Sequence, residues 1–207
     1  MRMRIAVMCA VLLGSVIVCW ANEPKAADAK GAPAAKADAP AAGAPAAAVA
    51  PAGAAVGEPR EQTLESRTLL YGSTETTFEK LHEAIDATLP KLLAATREHK
   101  IPVAGPVVFV YHNANMDGKP FTIDIGIIVD PEAKDAGDFK VKKLDVFKCD
   151  TILLSGPLSQ IGEAYGKVMQ FVSSKKHEPT GESREFYLYW EGPESPNNVV
   201  QIQMGVK

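Results

Sequence analysis

"KHEPTGESREFYLYW", Lys176 to Trp190, decides the fold, because a stretch of the same shape occurs earlier in the chain. "HKIPVAGPVVFVYHN", His99 to Asn113, sets Gly105 against Gly181, Phe109 against Glu185 and Tyr111 against Tyr187. Further on, "IDIG" at Ile123 to Gly126 matches "IQMG" at Ile202 to Gly205. Ahead of each copy, apolar residues recur at helical spacing: Phe78, Leu81, Ile85, Leu89, Leu92 and Leu93 in the first, and Ile161, Tyr165, Val168, Met169 and Val172 in the second. A short apolar run precedes each helix, at Arg67 to Ser73 and at Cys149 to Ser155. The order strand, helix, strand, strand is thus made twice. It predicts an α+β domain of duplicated βαββ units with pseudo-two-fold symmetry, an antiparallel sheet and two helices over one face.

The first helix is expected from Phe78 to about His99, opened by a capping box at Thr76-Thr77-Phe78-Glu79 and kinked or split at Pro90. The second is expected from about Gln160 to Lys175, with Ser159 as N-cap. The strands that follow them are placed at 106–112 and 121–129, then at 184–190 and 199–206. Between the halves, Lys134 to Lys148 mixes both charge signs and reads as a solvated loop running into a strand.

Taken every second residue, Phe186, Leu188 and Trp190 share one face of their strand, and Glu185, Tyr187 and Tyr189 share the other. In the closing strands Ile123, Ile125 and Ile127, with Val200, Ile202 and Met204, are expected to face the core. That leaves Asp124, Gly126, Gln203 and Gly205 opposite, where paired glycines suggest a hollow. The expected ligand site is lined by Glu185, Tyr187, Tyr189, Phe109 and Tyr111, with Asp124 and Gln203 at its edge. A carboxylate among aromatic rings is poorly solvated and costly when ionised and unpaired. An organic cation relieves that cost, and the ring faces add about 0.5 to 2 kcal/mol per cation–π contact.

The stretch "LLSGPLSQIGEAYGKVMQFV", Leu153 to Val172, resembles the strand, Gly-Pro turn and helix of the GyrI-like domains, also called AraC-type effector-binding domains. "REFYLYWEGPESP", with its Glu-x-Tyr, and the closing "QIQMGV" resemble the same family, and the similarity runs from about Leu64 to Lys207. The resemblance implies a groove between two βαββ halves that binds amphipathic, often cationic aromatic molecules. It also implies a sheet glutamate meeting the positive charge, which by motif position is Glu185, with Tyr187 beside it. Many relatives are joined to DNA-binding helices. No such module is recognisable here, so the resemblance carries over for ligand binding and not for transcription.

The chain opens with Arg2 and Arg4, runs apolar from Ile5 to Val18, and turns polar after Ala21. That is the layout of a secretory signal, 1–21, with an uncleaved anchor or a lipid on Cys19 as alternatives. Export to the periplasm or the exterior follows, with the membrane met only through this segment. Residues 22–57 hold 18 alanines among 36 residues, broken by Pro24, Pro33, Pro40, Pro45 and Pro51, which reads as a disordered tether ahead of a domain at 58–207. Outside the signal only Cys149 remains, so the domain has no internal disulfide. Losing Arg2 and Arg4 takes the net charge from −3 to −5, against nucleic acid as a partner.

Three other readings stay open. Glu185 with Tyr187 or Tyr111 could serve as acid and base in a hydrolase, although no nucleophile elbow, triad or metal-ligand spacing accompanies them. Haem binding is the second, since SOUL-type haem proteins share this architecture, but His112 points away from the expected groove by alternation, and no cofactor or metal site is expected. A protein-binding module is the third.

Overall fold

The structure, a computed structural model, describes residues 55–114 and 117–207. The expected secretory signal, and the expected tether up to residue 54, lie outside the described residues. Its strands are β1 (Ala55–Val56), β2 (Arg60–Leu64), β3 (Arg67–Thr76), β4 (Val103–His112), β5 (Phe121–Val129), β6 (Lys140–Leu144), β7 (Phe147–Ser155), β8 (Pro179–Tyr189) and β9 (Val199–Val206). Two helices, α1 (Leu81–Glu98) and α2 (Ile161–Lys175), fall between β3 and β4 and between β7 and β8. The sheet runs β1-β7-β9-β8-β4-β5-β3-β6, with β2 also on β7 and every pairing antiparallel. Pairing therefore begins at Ala55, inside the stretch expected to be tether.

Both βαββ units are present, β3-α1-β4-β5 and β7-α2-β8-β9, and they meet where β4 pairs with β8. The strand leading into each unit is exchanged. β2 precedes the first unit but pairs with β7 of the second, and β6 precedes the second but pairs with β3 of the first. The matching junctions are Leu64 opposite Phe147 and Arg67 opposite Leu144. Lys140–Leu144 is thus a strand where a solvated loop was expected, because β3 has a free edge that the backbone of this segment satisfies.

Across β4 and β8, Phe109 lies opposite Glu185, Val107 opposite Tyr187 and Tyr111 opposite Ser183. Exchanging the repeat mates Phe109 and Glu185 maps their pair onto itself, so the pseudo-two-fold axis passes through it. Both copies also slip register early in the strand, between Val103 and Val107 and between Pro179 and Ser183. Directly opposed residues share a face, so Gly72, Ile125, Phe109, Glu185, Ile202 and Ile152 form one row across the sheet.

This row lies under the helices. α1 buries Leu92 and Ala95 against Leu70, Ile127 and Val129, and α2 buries Ala164 and Val168 against Ile152, Leu154, Val200 and Ile202. Each large apolar side chain so covered stabilises the fold by roughly 1.5–3 kcal/mol. A single 3-10 turn, Phe78–Lys80 or Leu158–Gln160, leads into each helix. Neither expected cap forms: Thr76, which opens the expected box, donates to the Thr77 carbonyl instead, Thr77 at the N-cap makes no capping bond, and Ser159 lies inside its turn, behind Pro157. α1 continues unbroken through Pro90, which stands on its exposed side where water can reach the freed carbonyl.

The opposite face is also buried, around Leu69, Val108, Val110, Ile128, Leu144 and Phe186. The matched glycines leave no hollow there. A Cβ on Gly126 would lie 2.7 Å from Leu69 Cδ1 and 2.8 Å from the Leu70 carbonyl, and one on Gly205 would lie 2.8 Å from the Phe147 ring. Gly126→Ala is accordingly expected to cost about 1–3 kcal/mol in urea denaturation through overpacking. Gly166→Ala, in α2 with nothing within 4 Å of the added carbon, is expected to gain about 0.5–1 kcal/mol.

Candidate functional site

Glu185 is 4% exposed and faces the helices. Its Oε1 accepts a hydrogen bond from the Tyr165 hydroxyl at 2.7 Å, and its Oε2 accepts from Tyr187 at 2.8 Å and Tyr111 at 3.0 Å. Three elements supply these donors: β4 gives Tyr111, β8 gives Tyr187 and α2 gives Tyr165. Tyr111 and Tyr187 are repeat mates, so the pseudo-symmetry brings one to each side of the carboxylate. Tyr165 breaks that symmetry. At the same step of α1 stands Ile85, which packs against Phe109, Tyr111 and Phe121.

Aromatic rings close the site. Phe109 and Tyr187 are 4.9 Å apart, Trp190 meets Tyr187 edge-on at 5.5 Å, and Phe121 lies 6.1 Å from Tyr111 and 4.7 Å from Phe78. Tyr187 packs against the clusters under both helices. Met169, one turn beyond Tyr165, was expected in the buried stripe of α2 but is 54% exposed.

Glu185, Tyr187, Tyr111 and Phe109 come together as the sequence suggested, and three expected neighbours do not join them. An extra residue in β8 between Tyr187 and Tyr189 shifts the register against β9, and such a bulge ends strict alternation. Tyr189 consequently turns outward, 51% exposed and donating to Glu191 Oε1, while Trp190 swings to Tyr187. Asp124 and Gln203 lie on the opposite face, because Asp124 pairs with Val110 and Gln203 with Arg184. Ile123, Ile125 and Ile127 of β5 share a face with Glu185 and Tyr187 of β8, where alternation read strand by strand had set them apart. Tyr165 and Trp190 escaped the sequence reading. The available signal for Tyr165 was a hydroxyl in an otherwise apolar stripe, which when buried needs an acceptor.

Burial pushes the Glu185 carboxyl above its usual range, and the three phenol donors pull it back only in part. Burial and then the Glu185 charge hold Tyr111 and Tyr165 well above 10, so they stay protonated donors, and Tyr187 behaves the same way. Two other buried carboxylates are handled differently. Burial raises Asp124, but hydrogen bonds from Lys142, His112 and Ser73 outweigh it and leave the group below its usual range. Asp150, fully buried, meets His177 Nδ1 at 2.8 Å. Among the described residues Glu185 has no ion pair, and its partners are neutral hydroxyls.

A family model described as GyrI-like small molecule binding domain matches residues 57–207. The fold is similar to that of the EcmrR C-terminal domain, with a TM-score of 0.62 and 16% identity over 73% of this chain and 98% of that one. A longer EcmrR chain, in a complex with DNA, gives 0.62 and 15% identity over 72% of this chain and 57% of its own. SAV2435 bound to tetraphenylphosphonium gives 0.54 and 15% identity over 72% of this chain and 94% of its own. No curated protein matches the sequence.

A carboxyl whose pKa is raised in the folded state stabilises the fold fully below its unfolded value, here 4.5, and loses that contribution as pH rises through the folded value. Glu185→Gln is neutral throughout. Its urea-denaturation stability relative to wild type is therefore expected to improve as pH is raised from about 4 to 8. Parallel stability curves over that range would count against a desolvated carboxylate.

Proposed function

Because the chain belongs to the family of GyrI-like small-molecule-binding domains, we propose that Glu185 is the charge partner of an amphipathic, cationic aromatic molecule bound between the two helices. One observation carries this reading: a buried carboxylate without a cation, in a molecule that gives Asp124 and Asp150 basic partners. Hydroxyls can satisfy its lone pairs but cannot cancel its charge. A ligand cation does so, and the faces of Phe109, Tyr187 and Trp190 are at hand for its rings.

Tyr165 is the donor such a ligand displaces, since it comes from a helix while Tyr111 and Tyr187 are fixed by the sheet. Exposed Met169 beside it offers an adaptable apolar surface to the incoming molecule. SAV2435, which shares the fold, was solved with tetraphenylphosphonium, a cation of this class. The apolar run from Ile5 to Val18 supports export, which puts this binding domain outside the cytoplasm on a proline-broken tether.

Titration of the purified protein with tetraphenylphosphonium, with triphenylphosphine oxide as the neutral comparison, tests the reading. Wild type is expected to bind the cation in preference to the oxide. Glu185→Gln is expected to lose at least about tenfold, or 1.4 kcal/mol. Affinity is expected to rise with pH as Glu185 gives up its proton, because the cation binds the ionised form. Equal affinities for wild type and Glu185→Gln would remove the carboxylate from the site.

A further inference from the structure

Asn198 is fully buried at the end of the connector from β8 to β9, a connector that is otherwise mostly exposed. Its Oδ1 accepts from the Glu191 backbone N–H at 2.9 Å, and its Nδ2 donates to the Gly192 carbonyl at 2.6 Å. Its own carbonyl accepts from the Gly156 N–H at 2.9 Å, and the Pro193 carbonyl accepts from the Leu158 N–H at 2.8 Å. The side chain therefore closes the connector on itself, and the main chain ties the connector to the 3-10 turn ahead of α2. A buried amide is costly unless its donor and acceptor are both met, so this one holds a single conformation of the connector.

Two routes lead from Asn198 to Glu185. Trp190 is pinned on either side, because Tyr189 pairs with Val199 and Glu191 is bonded to Asn198. Its ring meets Tyr187 edge-on at 5.5 Å, and Tyr187 donates to Glu185 Oε2. The other route runs through the turn. Leu158 packs against the same apolar cluster as Tyr165, and Tyr165 donates to Glu185 Oε1.

We propose that Asn198 is a positioning residue of the ligand site, an inference that rests on the reading of Glu185 as a ligand's charge partner. Its side chain bonds the backbone of the connector. Through that backbone it fixes the Trp190 ring against Tyr187 and holds this wall at a set distance from the start of α2. The aromatic wall is thus in place before a ligand arrives, and binding does not have to order it.

Fluorine NMR of the full-length protein labelled with 5-fluorotryptophan tests the first link. The chain has two tryptophans, Trp20 and Trp190, and Trp190→Phe assigns their signals. Asn198→Ala is expected to shift or broaden the Trp190 signal without ligand. Gly126→Ala, a destabilising change on the opposite face of the sheet, is expected to leave it in place. Titration tests the second link. Asn198→Ala is expected to weaken tetraphenylphosphonium and triphenylphosphine oxide by the same factor, at least about fivefold, since it alters the wall and not the charge. Glu185→Gln weakens the cation alone, which separates the two readings. If Asn198→Ala fails to fold, Gly192→Ala carries the test: its φ of +143° is one that side chains rarely adopt, and nothing lies within 4 Å of the added carbon. The proposal is overturned if the Trp190 signal of the variant matches wild type, if the signal moves while wild-type affinity is kept, or if Gly126→Ala has the same effects. If wild type does not bind the cation, the reading of Glu185 fails, and the Trp190 signal alone decides whether Asn198 positions the wall.

Discussion

The antiparallel pairing of β4 with β8 is the constraint from which the site follows. It joins the two βαββ units, with the strands added at their outer edges, into one nine-stranded sheet and fixes Phe109 opposite Glu185. Once that pair is set, the period of two in each strand assigns every neighbour to a face. Tyr111 and Tyr187 must then lie beside Glu185, under the helices, and Arg184 must lie on the other side. A slip of one residue in β8 would exchange the carboxylate for the guanidinium and put apolar Phe186 under the helices.

Three buried carboxylates show how the protein handles desolvated charge. Asp124 is held by Lys142 and His112, and Asp150 by His177. Glu185 receives three phenol hydroxyls and no cation among the described residues. Lys142 and His112 complete the first arrangement, while the second meets His177 through Oδ2 and leaves Oδ1 without a hydrogen-bond partner among the described residues. The third satisfies directional hydrogen bonding while leaving the charge uncompensated, and its raised pKa expresses the difference. Such a site is held in place by the apolar clusters on either side of it, which tolerate a local cost that binding can remove.

Much of this was legible in the sequence, for a physical reason. The repeat, both helices, and the spans of β5 and β9 follow from apolar period alone, which survives because each of these elements packs one side against a core. β2 and β6 were missed. Each is short and charged, and each is a strand only because the other half of the molecule lends it an edge. The aromatic cluster around Glu185 was visible from the repeat. Asp124 and Gln203 were assigned to it because alternation says which residues of one strand agree, while only register says how two strands agree. Tyr189 was lost to a one-residue bulge, and Tyr165 was hidden among the aliphatic residues of its helix.

The axis through Phe109 and Glu185 also bears on how such a site can arise. Were the two βαββ units separate, identical chains assembled as a homodimer, the residue at this position would face its own copy. Two glutamates there would stand about 5 Å apart across the strands, and their repulsion would force a shared proton. Two phenylalanines would leave no charge at all. A lone carboxylate on the axis needs the positions to differ, which identical chains cannot do and two units on one polypeptide can. Fusion of the halves thus does more than tether them: it allows a symmetric scaffold to hold a single, unsymmetric charge at its centre.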